Sequence, residues 1–415
     1  MRPASPSVMP ARPALKSLDA ALAELLAHAA PLAGADTVST FEADGRVLAQ
    51  DLRASLNVPA HDNSAMDGYA VRCADWRDAA TTLPVSQRIP AGSSGQPLAP
   101  LSVARIFTGA PIPPGADAVV MQEDCDTSEA GVRLRQSPQP GQWICRLGED
   151  VAVDAVVLER GTRLTPAALG LAASIGFDRL PVAPRVRVAL LSTGDELVMP
   201  GEVAPADMKP GAIYNANRFF LKALLQRLGC TVTDLGIVSD RLDATIAALE
   251  GASQQHDLIL TSGGVSVGEE DHIKPAVQAL GELNLWQIAI KPGKPFAYGR
   301  VGAAHFIGLP GNPVSSLVTF LLLVRPFLLR LQGVADVAPK STPLTAHFDW
   351  LKANPRREFL RVKKDASGGL ALFANQSAGV LTSAVWADGL LDNPPGQRIA
   401  HGDTVQFIPF SELMA

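Results

Sequence analysis

Apolar and polar positions alternate with two different periods along the chain. After Ser17, a potential N-terminal cap, four leucines fall on one face of a predicted helix: Leu18, Leu22, Leu25 and Leu26. From Gly45 to about Trp143 the apolar runs become short, alternate with polar residues and are broken by proline and glycine. This second texture predicts a small β domain that follows a short amphipathic helix.

From Val186 onward, apolar strands alternate with amphipathic helices. Strands are predicted over 186–192, 231–238, 257–260, 283–290 and 304–307, and helices over 215–228, 240–250, 274–280 and 314–331. In this arrangement Asp240 is placed to cap the second of these helices. The alternation predicts βαβ units and a parallel sheet that helices cover on both faces.

Helix-bearing segments flank the β-rich region on both sides, which indicates that it is an insertion. Thr165 and Pro166 mark a helix start on its C-terminal side. From Ala335 the chain alternates again, with a hairpin turn predicted at 365–369, and this tail predicts a terminal β domain. The prediction is an α/β multidomain protein with domains at 13–50 plus 145–182, 51–144, 183–332 and 333–415.

Composition restricts the classes of function. The chain of 415 residues is 47% hydrophobic and 19% charged, as expected of a soluble globular protein. Its net charge of −5 provides no basic excess for a nucleic acid partner. Four cysteines without CxxC spacing predict neither a zinc site nor disulfides, and favour a reducing cytoplasm.

Targeting segments are not expected. The first 16 residues are rich in arginine, proline and serine and lack the apolar stretch of a secretory signal, so we expect a frayed tail. The most apolar window, Leu317 to Val324, ends at Arg325 and is far shorter than the roughly 20 residues of a membrane span. We interpret it as a buried core helix.

Ligands of parallel α/β sheets bind at the carboxyl ends of the strands, and three predicted strands end there in unusual loops. The first loop, STGDEL, contains Asp195, a potential helix cap, and Glu196, for which a ligand or metal role is as reasonable as a structural one. In the second loop, TSGGVSVGEED, Gly263 and Gly264 let backbone amides approach an anion, and Ser266 can donate a hydrogen bond.

The second loop matches neither a Walker motif nor GxGxxG, so its pattern alone is of modest specificity. Its acids Glu269 and Glu270 are explained as charges that complement a helix dipole. In the third region, Lys291 and Lys294 lie on a proline-stiffened loop and form a potential cationic clamp. The nearby GLPGNP segment predicts a rigid turn at a helix start, built by four residues: Pro310, Gly311, Asn312 and Pro313.

Two polar segments lie outside the predicted sheet. One contains Asp67 within HDNSAMDGYA, and the other contains Asp150 within GEDV. Turn formation explains Asn63-Ser64 and Asp67-Gly68 almost as well as a functional role does.

Seven of these segments occur in an order that resembles one family. DNSAMDGYAV, FTGAPIPPGADAVV, GEDV, STGDEL, TSGGVSVGEED, IKPGKPFAYG and GLPGNPVSS follow one another as in the molybdopterin molybdenumtransferases, a family that includes the C-terminal domain of gephyrin. The resemblance extends from about Leu18 to Phe410. Seven ordered motifs are far more specific than any one of them.

The resemblance implies the last step of molybdenum cofactor synthesis. Adenylylated molybdopterin would receive molybdate and AMP would be released, with Mg²⁺ as cofactor. The implied protein is a cytoplasmic homodimer of elongated subunits with four domains, which could also contact other proteins of cofactor synthesis. Its site would lie between the α/β domain of one subunit and the inserted β domain of the other, without a nucleic acid or membrane partner.

The resemblance also implies roles for single residues. Asp67, Asp150, Glu196 and Asp271 are the catalytic candidates, and Glu196, Asp240 and Asp271 the metal ligands. Substrate-binding candidates are Thr108, Gly263, Gly264, Ser266, Lys291, Lys294, Pro310, Gly311, Asn312, Pro313, Arg361 and Ser377. Gln287 departs from the family, because relatives often carry a basic residue four positions before the first lysine of the clamp.

Two alternatives stay open at this point. A molybdopterin adenylyltransferase would have a sheet domain similar to 186–331, although the inserted β domain and the β tail argue against a free-standing enzyme of that kind. A non-catalytic dimeric scaffold of the gephyrin kind would leave the set of acids and lysines unexplained.

Overall fold

The computed structural model describes residues 15–264 and 272–414, which form two compact units. The larger unit contains the described residues up to Asp36, Gly45–Ala49 and those from Val182 onward. The smaller unit contains Thr37–Asp44 and Gln50–Pro181. The bounds of the four predicted domains stay a prediction.

The helices lie mostly in the larger unit. They are α1 (Leu18–Ala27), α2 (Pro166–Ser174), α3 (Ala216–Arg227), α4 (Leu242–Ser253), α5 (Ile273–Leu280), α6 (Pro313–Thr319), α7 (Arg325–Leu331), α8 (Thr382–Trp386) and α9 (Phe410–Met414). Short 3-10 turns occur at Thr40–Glu42, Cys73–Asp75, Gln122–Asp124 and Pro205–Asp207.

The strands up to residue 182 are short. They are β1 (Asp36–Ser39), β2 (Leu52–Arg53), β3 (Asn63–Ser64), β4 (Gly68–Val71), β5 (Thr82–Leu83), β6 (Val85–Ile89), β7 (Val103–Ile106), β8 (Ala118–Met121), β9 (Cys125–Ser128), β10 (Gly131–Leu134), β11 (Ile144–Cys145), β12 (Val156–Leu158) and β13 (Arg179–Val182). They pair as a four-stranded sheet of order β6-β7-β4-β8, a three-stranded sheet β5-β10-β9 and two-stranded ribbons.

The strands that follow build two larger sheets. They are β14 (Arg187–Thr193), β15 (Leu197–Val198), β16 (Ile213–Tyr214), β17 (Thr231–Val238), β18 (Leu258–Ser262), β19 (Gly281–Gln287), β20 (Ile290–Lys291), β21 (Pro295–Val301), β22 (Ala304–Leu309), β23 (Thr342–Thr345), β24 (Arg357–Lys364), β25 (Leu370–Leu372), β26 (Gly389–Asn393) and β27 (Thr404–Pro409).

The central sheet is mixed, which corrects the prediction of a parallel sheet. Its strand order is β17-β14-β18-β22-β21-β19, and only the first four strands are parallel. Strands β21 and β22 are joined by two residues with Gly302 at φ 57°, so they can only form an antiparallel hairpin. The sequence prediction missed β21 because the prolines and glycine that precede it were interpreted as a loop.

Each face of the central sheet packs against helices. Along β14, Val188 and Leu190 face a large cluster that includes residues of α3, α6 and α7. Ala189 and Leu191 point to the opposite face, in a cluster with residues of α4 and α5. This alternation buries the strand on both faces, as the continuous apolar run predicted.

One described helix is long and apolar enough to cross a membrane, and it lies in the protein core. It runs over Pro313–Leu331 with a mean hydropathy of 1.8, and 94% of its most apolar window is buried. Between α6 and α7, Phe320–Val324 adopt a π-helical turn. The wider turn precedes Pro326, which has no N–H to continue the α-helical ladder. The predicted buried helix is confirmed.

The C-terminal sheet takes a strand from the loop that follows β19. Its order is β20-β24-β26-β27-β23, with β25 also paired to β24. Residues 290–291 therefore belong to this sheet, and the predicted strand 283–290 ends at Gln287 instead. The predicted hairpin is confirmed, since β24 and β25 are antiparallel around the turn at 365–369.

Two predicted caps are confirmed and two are wrong. The Ser17 hydroxyl accepts from Ala20 N at 3.2 Å, and the Thr165 hydroxyl accepts from Ala168 N at 3.3 Å. Helix α4 begins at Leu242, so Arg241, not Asp240, occupies the cap position. No helix follows Asp195, because the chain enters the short strand β15.

Candidate functional site

A pocket of about 600 Å³ opens at the carboxyl ends of β14, β17, β18 and β22. Eight residues predicted from the sequence line it: Glu196, Asp240, Gly263, Gly264, Pro310, Gly311, Asn312 and Pro313. Parallel strands end at the same edge of a sheet, which explains why four loops distant in sequence meet here. The absence of a cap at Asp240 leaves its carboxylate free to line this pocket.

The two glycines after β18 have positive φ angles, which would strain any residue with a side chain. Gly263 has φ 97° and Gly264 has φ 68°. A Cβ atom added at Gly264 would lie 2.6 Å from Ile273 Cγ1 and 3.0 Å from Thr193 Oγ1. The loop therefore approaches β14 and α5 more closely than a side chain permits, and its backbone can face a ligand directly.

The carboxylate of Glu196 folds back over Gly194. A Cβ atom added at Gly194 would lie 2.5 Å from Glu196 Oε2, and φ at this glycine is 136°. The backbone oxygen of Glu196 accepts from Ile213 N at 2.8 Å, which ties the loop to β16. This geometry holds an exposed carboxylate beside the pocket.

Asn217 connects three of the loops, and the sequence analysis missed it. Its Nδ2 donates to Ser262 Oγ at 2.8 Å and to the Gly311 carbonyl at 2.7 Å. Asn215 caps α3 by accepting from Arg218 N at 3.3 Å, and its buried Nδ2 has no partner among the described residues. From the sequence alone, both Asn215 and Asn217 are explained as helix caps. Only the hydrogen bonds in the structure show that Asn217 connects the loops.

The described lining of the pocket contains two carboxylates and no lysine or arginine. Glu196 and Asp240 supply the negative charge. The first turns of α3 and α6 also border the cavity, and helix N-termini carry partial positive charge. An anion bound here would therefore face backbone dipoles and acids, and it needs a further source of positive charge.

Two residues predicted for this region lie outside the described residues, namely Ser266 and Asp271. Within the parts of the chain that the structure describes, no group of three His, Cys, Asp or Glu side chains is arranged to hold a metal ion. The predicted metal ligands Glu196 and Asp240 nevertheless share the pocket.

The loop that carries Lys291 and Lys294 packs along α6, where a Cβ atom at Gly293 would lie 3.4 Å from the Ser315 carbonyl oxygen near the helix start. Gly293 has φ 109°, and a Cβ atom there would collide with the Thr319 hydroxyl. Lys291 Nζ forms an ion pair with Glu358 Oε1 at 3.0 Å. Lys294 is half-buried, and no described carboxylate lies within 4.0 Å of its ammonium. The two lysines of the predicted clamp thus have different surroundings.

Arg361 is a buried cation without an acidic partner among the described residues. Only 1% of the residue is exposed, and its guanidinium donates to Ser383 Oγ at 3.1 Å and to the Phe359 carbonyl at 3.0 Å. A longer bond of 3.4 Å reaches the Ser377 carbonyl. Burial lowers the pKa of Arg361 to about 10, because desolvation disfavours its charge. An anion beside it would offset that penalty.

The Arg361 region also borders the start of α6. Val314 N donates to the Ala378 carbonyl at 2.9 Å, which places the loop after Ser377 against the GLPGNP turn. The helix start thus contacts both the lysine loop and the segment next to Ser377. These two segments contain three predicted substrate-binding residues, Lys291, Lys294 and Ser377, and the fourth, Arg361 on β24, reaches the Ser377 carbonyl.

In the smaller unit, Asp67 is held by Thr108. Thr108 donates from its backbone N at 2.8 Å and from its hydroxyl at 2.7 Å, both to Asp67 Oδ1. These bonds lower the pKa of Asp67 below its usual value, with a smaller contribution from the Arg105 charge. Asp150 is exposed, and its backbone N donates to the Val58 carbonyl at 3.0 Å. The structure thus pairs two of the predicted residues of this unit.

Comparison with known families covers nearly the whole chain. Residues 16–176 match the MoeA N-terminal region (domain I and II). Residues 189–330 match the family described as a probable molybdopterin binding domain, which contains the pocket. Residues 343–410 match the MoeA C-terminal region (domain IV).

Individual relatives are similar over almost their full length. The molybdopterin molybdenumtransferase of Haemophilus influenzae is 42% identical over 382 residues, which cover 90% of this chain and 93% of the relative. That of Synechococcus elongatus is 36% identical over 402 residues, or 94% and 98% of the two chains. A crystal structure of a molybdopterin biosynthesis MoeA protein from Pyrococcus horikoshii superposes with a TM-score of 0.83 at 27% identity and covers 95% of this chain and 100% of its own.

Replacing Asn217 with alanine is expected to loosen the pocket loops. The change removes two hydrogen bonds, so the free energy of unfolding should fall by about 1–3 kcal/mol. Amide exchange at Gly263 and Gly311 should accelerate in the same variant. Urea denaturation and hydrogen-exchange mass spectrometry measure the two effects. The exposed Asn284→Ala serves as the matched control, and equal behaviour of the two variants would contradict the proposed tie.

Proposed function

Because the chain belongs to the molybdopterin molybdenumtransferase family, we propose that it inserts molybdate into adenylylated molybdopterin and releases AMP, which yields molybdenum cofactor. The protein is accordingly an enzyme of the transferase class. Matches on both sides of the sheet domain disfavour a free-standing adenylyltransferase. No observation favours a scaffold without activity.

One observation of the structure carries this proposal. The pocket combines backbone amides and helix starts, which suit phosphate oxygens, with two carboxylates, which suit a divalent cation. The adenylylated substrate contains a pyrophosphate, whose negative charge matches the first group. Gly263, Gly264 and the turn from Pro310 to Pro313 would border it.

The residues present suit Mg²⁺, because carboxylate oxygens are the protein ligands that it prefers. Glu196 and Asp240 would hold the ion, and Asp271, outside the described residues, is the third proposed ligand. Bound Mg²⁺ would supply positive charge between phosphate oxygens in a pocket whose described walls carry no cationic side chain.

Molybdate would bind beside the pocket rather than at its acids. Lys294 has no described carboxylate partner, and Arg361 is a buried cation without one. Lys294 lies on the loop that packs against α6. Arg361 bonds to the Ser377 carbonyl, and the neighbouring Ala378 carbonyl accepts from Val314 N at the start of α6. An oxyanion with four oxygens accepts hydrogen bonds from several such donors at once, with Ser377 at the same border.

The transfer would need no protein nucleophile. The described lining of the pocket contains no cysteine, histidine or lysine, and the Ser262 hydroxyl already accepts from Asn217. A molybdate oxygen would attack the pyrophosphate phosphorus on the molybdopterin side, and the bond to the AMP oxygen would break, so that AMP leaves. The attacking oxygen would stay on the molybdopterin phosphate, and its bond to molybdenum would break as the two dithiolene sulfurs of the substrate bind the metal. The chain's own groups would orient the two anions so that this attack is in line.

The proposed enzyme is a cytoplasmic homodimer in which each site takes residues from both subunits. Asp67, Thr108 and Asp150 would be supplied by the partner subunit to the site of the first one. The bonds from Thr108 keep Asp67 ionised, and they leave its second carboxylate oxygen available to orient a substrate group.

Purified protein is expected to release AMP from adenylylated molybdopterin only when molybdate and Mg²⁺ are present. Chromatography of the nucleotide products measures this release. The Glu196→Gln variant should lose about a hundredfold or more of the rate, because it removes a charge that acts at the reacting phosphates. Release without molybdate, or consumption of ATP, would contradict the proposed reaction.

Subunit mixing tests the shared site. Asp67→Asn and Glu196→Gln homodimers should each be nearly inactive. After the two variants are mixed and exchange subunits, mixed dimers should regain about one intact site in two, since both changes fall in the same site. Recovered AMP release measures the complementation. Dimers that exchange without any recovery would show that each site is built from one subunit, and a monomer on gel filtration would exclude the dimer itself.

A further inference from the structure

Glu358 is a buried carboxylate that receives four hydrogen bonds. It lies on β24 with 1% of its side chain exposed, and Lys291 Nζ donates to its Oε1 at 3.0 Å. Trp350 Nε1 donates to Oε2 at 2.7 Å. Two weaker bonds come from Asn354 at 3.3 Å and Asn393 at 3.5 Å.

Lys291 is the one cation paired with this carboxylate among the described residues. Burial of a carboxylate is strongly unfavourable unless hydrogen bonds and an opposite charge offset the lost hydration. The Lys291 ammonium also lies 5.8 Å from the Trp350 ring, in a cation–π arrangement. The lysine is therefore held from two sides by the C-terminal sheet.

The backbone reinforces this contact. Strand β20 pairs in parallel with β24, with Ile290 opposite Arg357 and Lys291 opposite Glu358. Arg357 N donates to the Ala289 carbonyl at 2.9 Å. Further along the loop, Ile288 N donates to the Lys294 carbonyl at 2.7 Å, so the segment between them closes as a compact loop. The position of Lys294 thus depends on the anchoring of Lys291.

We propose that Glu358 is a positioning residue of the molybdate site. It neutralises Lys291 and fixes the lysine loop, so that Lys294 is the lysine whose charge binds the oxyanion. The inference rests on the proposed function. The spacing of the two lysines predicted that both bind the oxyanion, whereas here Lys294 binds it and Lys291 anchors the loop. Glu358 itself touches no substrate in this account.

Molybdate binding tests the division of roles. Equilibrium dialysis with molybdate gives the dissociation constant for wild type, Lys291→Met, Lys294→Met, Glu358→Gln and the double variant Lys291→Met/Glu358→Gln. Lys294→Met should weaken binding about tenfold or more, because it removes a charge-assisted contact. Glu358→Gln should weaken it about three- to tenfold, and the double variant should recover to within about threefold of wild type.

The recovery is decisive, because the double variant removes the buried charge of Glu358 together with the half-exposed charge of Lys291 and leaves neither one unpaired. If Lys291 contacts the oxyanion, the double variant binds as weakly as Lys294→Met, and the inference is overturned. An effect of Glu358→Gln below twofold would overturn it as well. In AMP release, Glu358→Gln should raise the KM for molybdate with kcat nearly unchanged, and Glu282→Gln is an exposed control on β19 that should match wild type.

A second readout separates this inference from the proposed function. Amide exchange over residues 288–296 should accelerate in Glu358→Gln and return toward wild type in the double variant. If exchange behaves in this way while wild type neither binds molybdate nor releases AMP, the positioning role stands and the proposed function fails. Unchanged exchange in Glu358→Gln would show that the carboxylate does not position the loop.

Discussion

The described lining of one pocket contains two carboxylates and no cationic side chain, and this limits how an anionic substrate can bind there. Glu196 and Asp240 face a cavity whose described walls contain no lysine or arginine, at the sheet edge where four parallel strands end. Phosphate groups approach acids only if another charge intervenes, and in the proposed function a divalent cation and the amides at the helix starts would supply it together. Lys294 and Arg361 lie outside the described lining of this pocket, so the proposed second anion would bind to them without competing for those acids.

This arrangement depends on contacts between segments far apart in sequence. The C-terminal part of the chain contacts these segments twice, through the pair of Lys291 with Glu358 on β24 and through the bond from Val314 N to the Ala378 carbonyl in the loop before α8. Asn217 fixes the loops after β18 and β22 in the same way, by hydrogen bonds to Ser262 and Gly311. Loops that must present backbone to an anion have few side chains of their own to hold them, and neighbouring elements supply the fixation.

The sequence predicted the pocket better than it predicted the sheet. Loops rich in glycine, proline and acids after apolar strands mark a sheet edge, and eight such residues do line one cavity. The antiparallel edge was missed, because Pro292 and Pro295 mask the start of β21 in a local pattern. Asn217 and Glu358 carry no local signal, because the partners of Asn217 lie 45 and 94 residues away and Lys291, the cation paired with Glu358, lies 67 residues away in the chain. The spacing of Lys291 and Lys294 in the sequence gives both the same predicted role. The two differ in the structure because the buried carboxylate of Glu358 pairs with Lys291.

In the proposed site the pocket would bind its anionic substrate together with a divalent cation held by Glu196 and Asp240. Isothermal titration of adenylylated molybdopterin, with and without Mg²⁺, tests it most directly in wild type and in the double variant Glu196→Gln/Asp240→Asn. The account predicts that Mg²⁺ tightens binding to wild type by about tenfold or more, and that the double variant shows no such dependence and binds more tightly than wild type when Mg²⁺ is absent. Binding to wild type that does not respond to Mg²⁺, or a double variant that keeps the full response, would contradict it.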